Sequence, residues 1–376
     1  MANRLFNVQA LRLVAAGGVA LSHGADLLVP HDAAHRLFWA VPWTAGVDLF
    51  FVISGFIMLL LTEGRFGSPR SASLFLRRRV ARILPAYWFF TAIVVAAVIA
   101  AGGQLKGTTA DGSQIATSLA FIPWPRGDGK LVPVLPQGWT LNYEMSFYLA
   151  YTLALLHRRG AVMLCACFAL LAASNTLWPA ELFALRFWTA PIILEFVAGI
   201  VLARLYLGGV RLPRLARWAL AALAVAGWLL TGRLALGAWY RPVHLGIPAM
   251  LACAALILGP EPARLGLVRR SIRLGGDASY ALYLSHYIVI NMVALLWKRA
   301  GLGLPWLGVA VGLACSFAVA ISFYLLVERR WTRWLLRILR ADAPASDVAE
   351  RRPMAQSRTA QAPTDARRAH GGRHSG

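Results

Sequence analysis

Long apolar stretches alternate with short polar connections along most of this chain. The apolar stretches lie at residues 8–28, 43–62, 84–102, 138–156, 161–177, 187–205, 215–231, 240–259, 279–297 and 304–326. A helix needs about 20 mostly apolar residues to cross the hydrocarbon core of a bilayer. The pattern therefore predicts an all-α integral membrane protein, a bundle of about ten transmembrane helices in a lipid bilayer.

Arginine residues are concentrated in every second connection between the predicted helices. These connections are 62–83, 156–160, 205–215 and 260–278, and the C-terminal segment is also rich in arginine. The intervening connections contain fewer basic residues. Basic residues of membrane proteins collect in cytoplasmic loops, so this alternation predicts an even number of spans with both termini in the cytoplasm.

Two segments depart from this alternation of helices and short connections. Residues 103–137 form a long outer loop, and loops of that length usually carry a function or a short helix of their own. Residues 341–376 are rich in Ala, Arg, Pro and Ser without periodicity, which predicts a disordered cytoplasmic tail. We therefore expect one membrane domain, residues 1–340, followed by this tail.

The composition supports the membrane assignment and argues against two other classes of protein. Charged residues make up 14% of the 376 residues and hydrophobic residues 59%, whereas about 25% of the residues of a soluble domain are charged. The net charge of +22 is explained by the cytoplasmic loops, and no basic stripe with interleaved aromatics indicates a nucleic-acid partner. The four cysteines fall in predicted spans, so we expect neither a disulfide framework nor a metal site.

The first predicted helix carries two ionisable residues, Arg12 and His23, in an otherwise apolar run. A helix turns about 100° per residue, so this spacing returns both side chains to nearly one face, about 16 Å apart along the axis. An ionisable side chain inside a membrane is a functional hypothesis by default. The alternative is that the two side chains extend to the two membrane surfaces.

Two carboxylates are predicted at a depth similar to that of His23, in the outer part of the membrane. Asp48 lies near the outer start of the second helix, and Glu144 lies in the outer half of the fourth. A carboxylate next to an imidazole orients it and raises its basicity, as general-base catalysis requires. For Asp48 a role at the helix start, where the helix dipole favours an anion, is equally open.

Two arginines, Arg79 and Arg82, lie in the cytoplasmic connection that leads into the third helix, with Pro85 expected near its first turn. If the helix begins early, their i,i+3 spacing places them on one helical face. Two guanidinium groups there suit the phosphates of a nucleotide-bearing donor. The alternative is that they only anchor the positive-inside topology.

Glu195 and His286 also lie inside predicted spans. Glu195 is in the middle of the sixth helix and needs a partner that the sequence does not name. His286 is expected in the inner half of the ninth helix, where we interpret it as a packing or hydrogen-bonding residue. We assign neither of them a role in chemistry.

Five short motifs, in this order, resemble those of the acyltransferase-3 family of bacterial integral-membrane acyltransferases. They are Gln9-Ala-Leu-Arg12 followed by His23, Gly46-Val-Asp-Leu-Phe-Phe-Val-Ile-Ser-Gly-Phe56, Arg79-Val-Ala-Arg82-Ile-Leu-Pro85, Trp139-Thr-Leu-Asn-Tyr-Glu144 and Ser279-Tyr-Ala-Leu-Tyr-Leu-Ser-His286. The resemblance covers about residues 5–335. A single motif would be weak, but five in order are specific.

The resemblance implies an enzyme of the bacterial inner membrane that transfers an acyl group, often acetyl, from cytoplasmic acyl-CoA to a sugar hydroxyl. The acceptor would be a surface glycan or its lipid-linked precursor. By the same resemblance His23 is the expected catalytic residue, and we expect Arg12, which belongs to the same motif, to bind acyl-CoA together with Arg79 and Arg82. Oligomeric state is not implied.

A mechanistic hypothesis follows from these positions. Asp48 or Glu144 would orient His23, which would deprotonate the acceptor hydroxyl; a transient acyl-histidine is the alternative. Trp124, Lys130 and Trp139 are candidates for contact with the acceptor, although Trp139 also suits an interface aromatic. The competing function is a polytopic transporter or flippase, for which inverted repeats would be expected.

Overall fold

The computed structural model describes residues 5–32, 35–102, 104–105, 108–109, 111–126, 129–178, 182–231, 241–262 and 266–341. These residues form a helical structure, apart from a short antiparallel ladder that pairs Gln104–Leu105 (β1) with Thr108–Thr109 (β2). The prediction of a helical fold is therefore confirmed for these residues. The predicted tail lies outside the described residues from residue 342 onward.

The described helices follow one another with short connections. In chain order they are α1 (Phe6–Leu28), α2 (Arg36–Trp39), α3 (Gly46–Thr62), α4 (Pro69–Ala100), α5 (Gly112–Leu119), α6 (Trp139–Ala154), α7 (Gly160–Leu177), α8 (Phe183–Trp188), α9 (Leu194–Leu207), α10 (Arg214–Thr231), α11 (Ile247–Ile257), α12 (Gly266–Asp277), α13 (Ser279–Arg299), α14 (Pro305–Phe323) and α15 (Arg329–Ile338). A π-helical turn precedes α11, and another joins α14 to α15.

Seven helical segments of the described chain are long and apolar enough to cross a membrane. They are Trp43–Thr62, Pro69–Ala100, Gly160–Leu177, Phe183–Leu207, Arg214–Thr231, Ser279–Arg299 and Pro305–Ile338. The other three predicted spans also correspond to helices, but α6 and the segment Pro242–Ile257 are short. The long helix α1 carries polar residues such as Arg12 and His23 that lower its mean hydropathy. The count of about ten spans stays a prediction.

Helix α4 begins well before the predicted third span. It starts at Pro69, whose fixed φ suits a first helical position, and the Ser68 hydroxyl accepts a hydrogen bond from the Ser71 N–H as an N-cap. Arg79 and Arg82 are therefore helical and share a face, as expected for an early start. The expectation that Pro85 lies in the first turn is wrong, because the capped start places it inside a 32-residue helix.

The closest helix crossing in the bundle joins α3 and α9 through two glycines. A Cβ on Gly55 would lie 2.1 Å from the carbonyl oxygen of Phe196, and one on Gly199 would lie 2.0 Å from that of Val52. Small residues let membrane helices approach backbone to backbone. This crossing fixes the start of α9, and with it Glu195, beside the start of α3.

Helix α1 lies inside the bundle, where it packs against α3, α12, α13 and α14. The arginine-rich connections meet at one end, which we call the arginine-rich end. Its contacts include Gly67 N–H to Leu155 O at 2.8 Å, Leu212 N–H to Leu258 O at 3.0 Å, and Arg204 to Glu63 at 2.9 Å. The location of these connections at one end agrees with the predicted alternation of loops. The assignment of this end to the cytoplasmic side of the membrane stays a prediction.

Candidate active site

A central cavity opens between α1, α3, α4, α6 and α13, and it encloses about 760 Å³ of space when its opening is counted. Its polar lining is contributed by Arg12, Ser54, Arg79, Arg82, Thr140, Glu144, Tyr148, Tyr280 and Tyr283. Apolar side chains of α3 form much of the remaining wall. The five motifs of the sequence thus each contribute to one cavity.

Three arginines converge in this cavity. Arg79 and Arg82 come from one face of α4, and Arg12, which is only 7% exposed, comes from α1. The Arg79 guanidinium lies 5.6 Å from the ring centre of Phe75 and 5.8 Å from that of Tyr148. Aromatic rings on both sides hold the planar fork in place. With Glu144 as the carboxylate in the lining, the cavity carries excess positive charge and suits an anionic ligand.

Glu144 is held by hydrogen bonds inside the same cavity and not beside His23. Its Oε1 accepts hydrogen bonds from the Ser54 hydroxyl at 3.0 Å and from the hydroxyl of Tyr148, one turn further along α6. Within the described residues no hydrogen bond joins Glu144 to His23. The sequence predicts Glu144 in the outer half of the membrane and the α4 arginines at the inner face, yet all three line one cavity. The predicted start of the third span at residue 84 is misleading here, because α4 begins at Pro69 and the arginines lie well inside the helix.

A second cavity, the vestibule, lies beside the central cavity and is lined by Arg82, Asp277, Tyr324, Glu328, Arg329, Thr332 and Arg333. Arg82 lines both spaces. Burial raises the pKa of Asp277, and the neighbouring positive charges of Arg12 and Arg82 oppose that rise. Five of the lining residues belong to α15 and its preceding turn, and two of these are arginines, Arg329 and Arg333, which the sequence did not single out.

His23 lies outside the lining of the central cavity, against α13. Its ring centre is 5.3 Å from that of His286 and 6.1 Å from that of Tyr287. The sequence placed His23 in the outer third of the membrane and His286 in the inner half. Because the two rings are in contact, both histidines lie at a similar depth, and the two predicted depths cannot both be right. The sequence does not reveal the register between α1 and α13, which pack side by side.

An aromatic pair in the wall of the central cavity lies next to His286. Phe50 and Tyr283 both line the cavity, with ring centres 5.8 Å apart. The Tyr283 ring is also 5.9 Å from that of His286. The Tyr283 hydroxyl is fixed by Thr140 Oγ1 at 2.9 Å and by the Gln137 carbonyl at 3.2 Å. Tyr283 therefore stands between the arginine-lined space and the histidine pair.

Asp48 has an arginine partner that the sequence did not suggest. Its carboxylate is fully buried in the first turn of α3 and accepts a hydrogen bond from Arg241 Nη2 at 2.7 Å. Glu195, whose partner the sequence left unnamed, lies beside Asp48 in the same group. Within the described residues Asp48 makes no hydrogen bond to His23. An arginine at an otherwise basic-poor outer connection was a signal for this partner.

The three predicted acceptor residues have different neighbours in the structure, and their contact with the acceptor stays a prediction. Trp124 is 40% exposed and its ring contacts Phe183, with 6.0 Å between ring centres. Trp139 lies beneath Arg241, whose guanidinium is 5.8 Å from its ring centre. Lys130 accepts a backbone hydrogen bond from Arg126 N–H in the outer loop. Within the described part of the chain, no group of three or more His, Cys, Asp or Glu side chains is arranged to hold a metal ion.

Comparison with known proteins agrees with the motifs. A family model described as an acyltransferase domain, Acyl_transf_3, matches residues 5–325. The exopolysaccharide production protein ExoZ of Rhizobium meliloti (strain 1021) is 34% identical over 292 residues, covering 76% of this chain and 88% of ExoZ. Nodulation protein 10 of Rhizobium leguminosarum bv. viciae is 28% identical over 360 residues, covering 86% and 92%. No solved structure matches the chain. The protein therefore belongs to the acyltransferase-3 family.

Proposed function

We propose that this protein is a membrane O-acyltransferase that moves an acyl group, acetyl in the first instance, from acyl-CoA to a hydroxyl group of a cell-surface glycan or its lipid-linked precursor. The observation that carries the proposal is the convergence of Arg12, Arg79 and Arg82 in one cavity that adjoins a second basic space at Arg82. The proposed setting is the bacterial inner membrane, with the arginine-rich end in the cytoplasm.

The two cavities suit the two parts of an acyl-CoA molecule. Arg82, Arg329 and Arg333 line the vestibule, where guanidinium groups form paired hydrogen bonds with phosphate oxygens. The central cavity continues from Arg82 between apolar residues of α3, which suits the less polar pantetheine arm. In this arrangement the thioester points toward Tyr283 and the histidines behind it. The chemistry of the lining residues therefore fits the donor.

His23 is the proposed general base. It takes the proton of the acceptor hydroxyl while the hydroxyl oxygen attacks the thioester carbonyl. The new oxygen–carbon bond forms, the carbon–sulfur bond breaks, and His23 returns the proton to the departing thiolate, so atoms and charge balance. For the thioester to reach His23, the Tyr283 ring has to rotate aside, since it lies between the cavity and the histidines.

The acceptor is proposed to reach the histidine from the end opposite the arginine-rich end. One relative is described as an exopolysaccharide production protein, which supports a polysaccharide or its precursor as the acceptor. Trp124, Lys130 and Trp139 are proposed contacts, with the exposed indole of Trp124 available for stacking on a sugar ring. Asp48 is proposed to have an indirect role: its ion pair with Arg241 holds the start of α3 in place.

Transfer of labelled acetyl from acetyl-CoA to a crude surface-glycan fraction, in vesicles that contain the protein, tests the proposal. The native protein should transfer label, and His23→Ala should reduce transfer by roughly 100-fold or more, the contribution of a general base. His157→Ala is the matched control, because His157 is an exposed histidine at the arginine-rich end. Equal transfer by native protein and His23→Ala would remove His23 from the chemistry; no transfer from several acyl-CoA donors would overturn the proposed function.

A further inference from the structure

His286 has a defined protonation pattern in the fully buried wall behind Tyr283. Its Nδ1 lies 3.0 Å from the carbonyl oxygen of Leu282, one turn earlier on α13. A carbonyl oxygen only accepts hydrogen bonds, so Nδ1 carries the hydrogen in a neutral ring and Nε2 presents a lone pair. Nε2 is buried and has no hydrogen-bond partner among the described residues. A buried hydrogen-bond acceptor without a partner lowers the stability of the folded protein, which makes Nε2 a candidate for a functional role.

The imidazole of His23 lies next to the His286 ring. The ring centres are 5.3 Å apart and the ring planes are inclined by 36°. A nitrogen lies about 1 Å from its ring centre, so an N–H···N hydrogen bond of about 3 Å places two imidazole centres about 5 Å apart. The observed separation meets this requirement, and a rotation of the half-exposed His23 ring brings the nitrogens together.

We propose that His286 is a positioning residue for acyl transfer: its Nε2 accepts a hydrogen bond from an N–H of His23 and leaves the other His23 nitrogen free to take the proton of the acceptor hydroxyl. This inference rests on the proposed function. It assigns to His286 the task that sequence reasoning gave to Asp48 or Glu144. Asp48 is hydrogen-bonded to Arg241, and Glu144 to Ser54 and Tyr148.

The protonation pattern explains why the donor nitrogen of His286 matters. If Nδ1 were not held by Leu282, the hydrogen could move to Nε2, and His286 would then compete with His23 as a donor. The backbone bond prevents this, in the way that the partner of a catalytic histidine fixes its tautomer. His286 does not touch the reacting atoms in this arrangement, and its effect is exerted through His23.

Two amide variants separate the two nitrogens of His286. The amide of Asn reaches the position of Nδ1, so His286→Asn keeps a donor for Leu282 and loses the acceptor at Nε2. The longer Gln places an amide oxygen near Nε2, so His286→Gln keeps the acceptor. We expect His286→Asn to lower kcat by about 10- to 100-fold, part of a general base's contribution, with KM for acetyl-CoA within about twofold of native. His286→Gln should recover part of that kcat.

Ser285→Ala is the control, since the Ser285 hydroxyl is also buried on α13 and, among the described residues, makes no hydrogen bond to His23 or to any other group. It should transfer acetyl at the native rate. Three results would overturn the inference: equal kcat for His286→Asn and the native protein, an equal loss in both amide variants, or a change confined to the KM of acetyl-CoA. In each case transfer by the native protein would still support the proposed function. Absence of transfer by the native protein would overturn both.

A second measurement does not depend on turnover. Diethyl pyrocarbonate modifies the unprotonated nitrogen of histidine, and mass spectrometry of the folded protein in detergent gives the rate at His23. Because a hydrogen-bond acceptor on the N–H makes the opposite nitrogen more nucleophilic, we expect slower modification of His23 in His286→Asn than in Ser285→Ala or native protein. Equal rates in proteins of equal thermal stability would contradict the proposed bond.

Discussion

Arg241 donates a hydrogen bond of 2.7 Å to Asp48, whose carboxylate is fully buried at the start of α3. Glu195 lies beside the same carboxylate, so the guanidinium that is hydrogen-bonded to Asp48 also lies near a second acidic side chain, and the two carboxyl groups come from two parallel helices. The glycine crossing of α3 and α9 brings those helices together at this place. The arginine therefore neutralises charge that the crossing would otherwise leave buried.

Loss of Arg241 should destabilise the protein. Breaking a buried ion pair by removing one partner costs about 3–5 kcal/mol, and the partial exposure of Arg241 favours the lower end of that range. Arg241→Ala should lower the thermal midpoint in detergent, whereas Arg214→Ala, an exposed arginine, should not. Asp48→Asn added to Arg241→Ala should restore part of the loss. A double variant no more stable than Arg241→Ala would contradict the pairing.

Substitution of Gly199 should disrupt the crossing of α3 and α9. The Cβ of Gly199→Ala would lie 2.0 Å from the Val52 carbonyl oxygen, so the helices must separate and lose buried contacts, at a cost of about 1–3 kcal/mol or more. Gly17→Ala is the matched control, because its Cβ would meet only the Phe317 side chain at 3.7 Å. Thermal unfolding of both variants in detergent checks this, and equal midpoints would show that the crossing is looser than described.

Arg79→Lys and Arg82→Lys should weaken binding of acyl-CoA although both keep the charge. Lysine lacks the planar fork that pairs with phosphate or stacks between Phe75 and Tyr148. A charged hydrogen bond contributes roughly 1.5–3 kcal/mol, so KM for acetyl-CoA should rise by about 10- to 100-fold. Arg70→Lys, an exposed position at the start of α4, should leave KM unchanged. A fall in kcat at constant KM would argue against donor binding at these two residues.

Trp124→Ala should affect the acceptor and not the donor. The indole is partly exposed at the end of the bundle opposite the arginines, and losing a stacking surface of about 1 kcal/mol or more changes affinity roughly 5- to 10-fold. We expect a higher KM for the glycan with the KM for acetyl-CoA unchanged. Trp178→Ala removes an 83% exposed indole after α7 and provides the comparison. If both variants bind glycan like the native protein, Trp124 is not an acceptor contact.

The positions of the helices were largely predictable from the sequence, while their partners were not. Each predicted span coincides with a helix because apolar length is a local property of the chain. The early start of α4 was left open by the sequence, because Arg79 and Arg82 interrupt the apolar pattern before Pro85. There the N-cap at Ser68 and the proline after it were the local signals that mattered.

Some of the residues that line the central cavity were also predictable from the sequence. Arg12, Arg79, Arg82 and Glu144 were identified as unusual polar residues, and the structure brings them together. The pairing of His23 with His286, and of Asp48 with Arg241, depends on the relative register of helices that are distant in sequence. A hydrophobic pattern defines which face of a helix is buried, but a shift of one turn along the axis leaves that pattern unchanged.

The aromatic pair formed by Phe50 and Tyr283 has a consequence for the cell as well as for the reaction. An enzyme whose donor and acceptor approach from opposite sides of a membrane contains, in its reactant path, a potential leak for ions. In the proposed path, the two packed rings of Phe50 and Tyr283, the latter held by Thr140 and Gln137, would stand in the way of such a leak. If donor and acceptor approach from opposite sides as proposed, we expect transfer across the bilayer to leave the electrochemical gradient of the membrane intact.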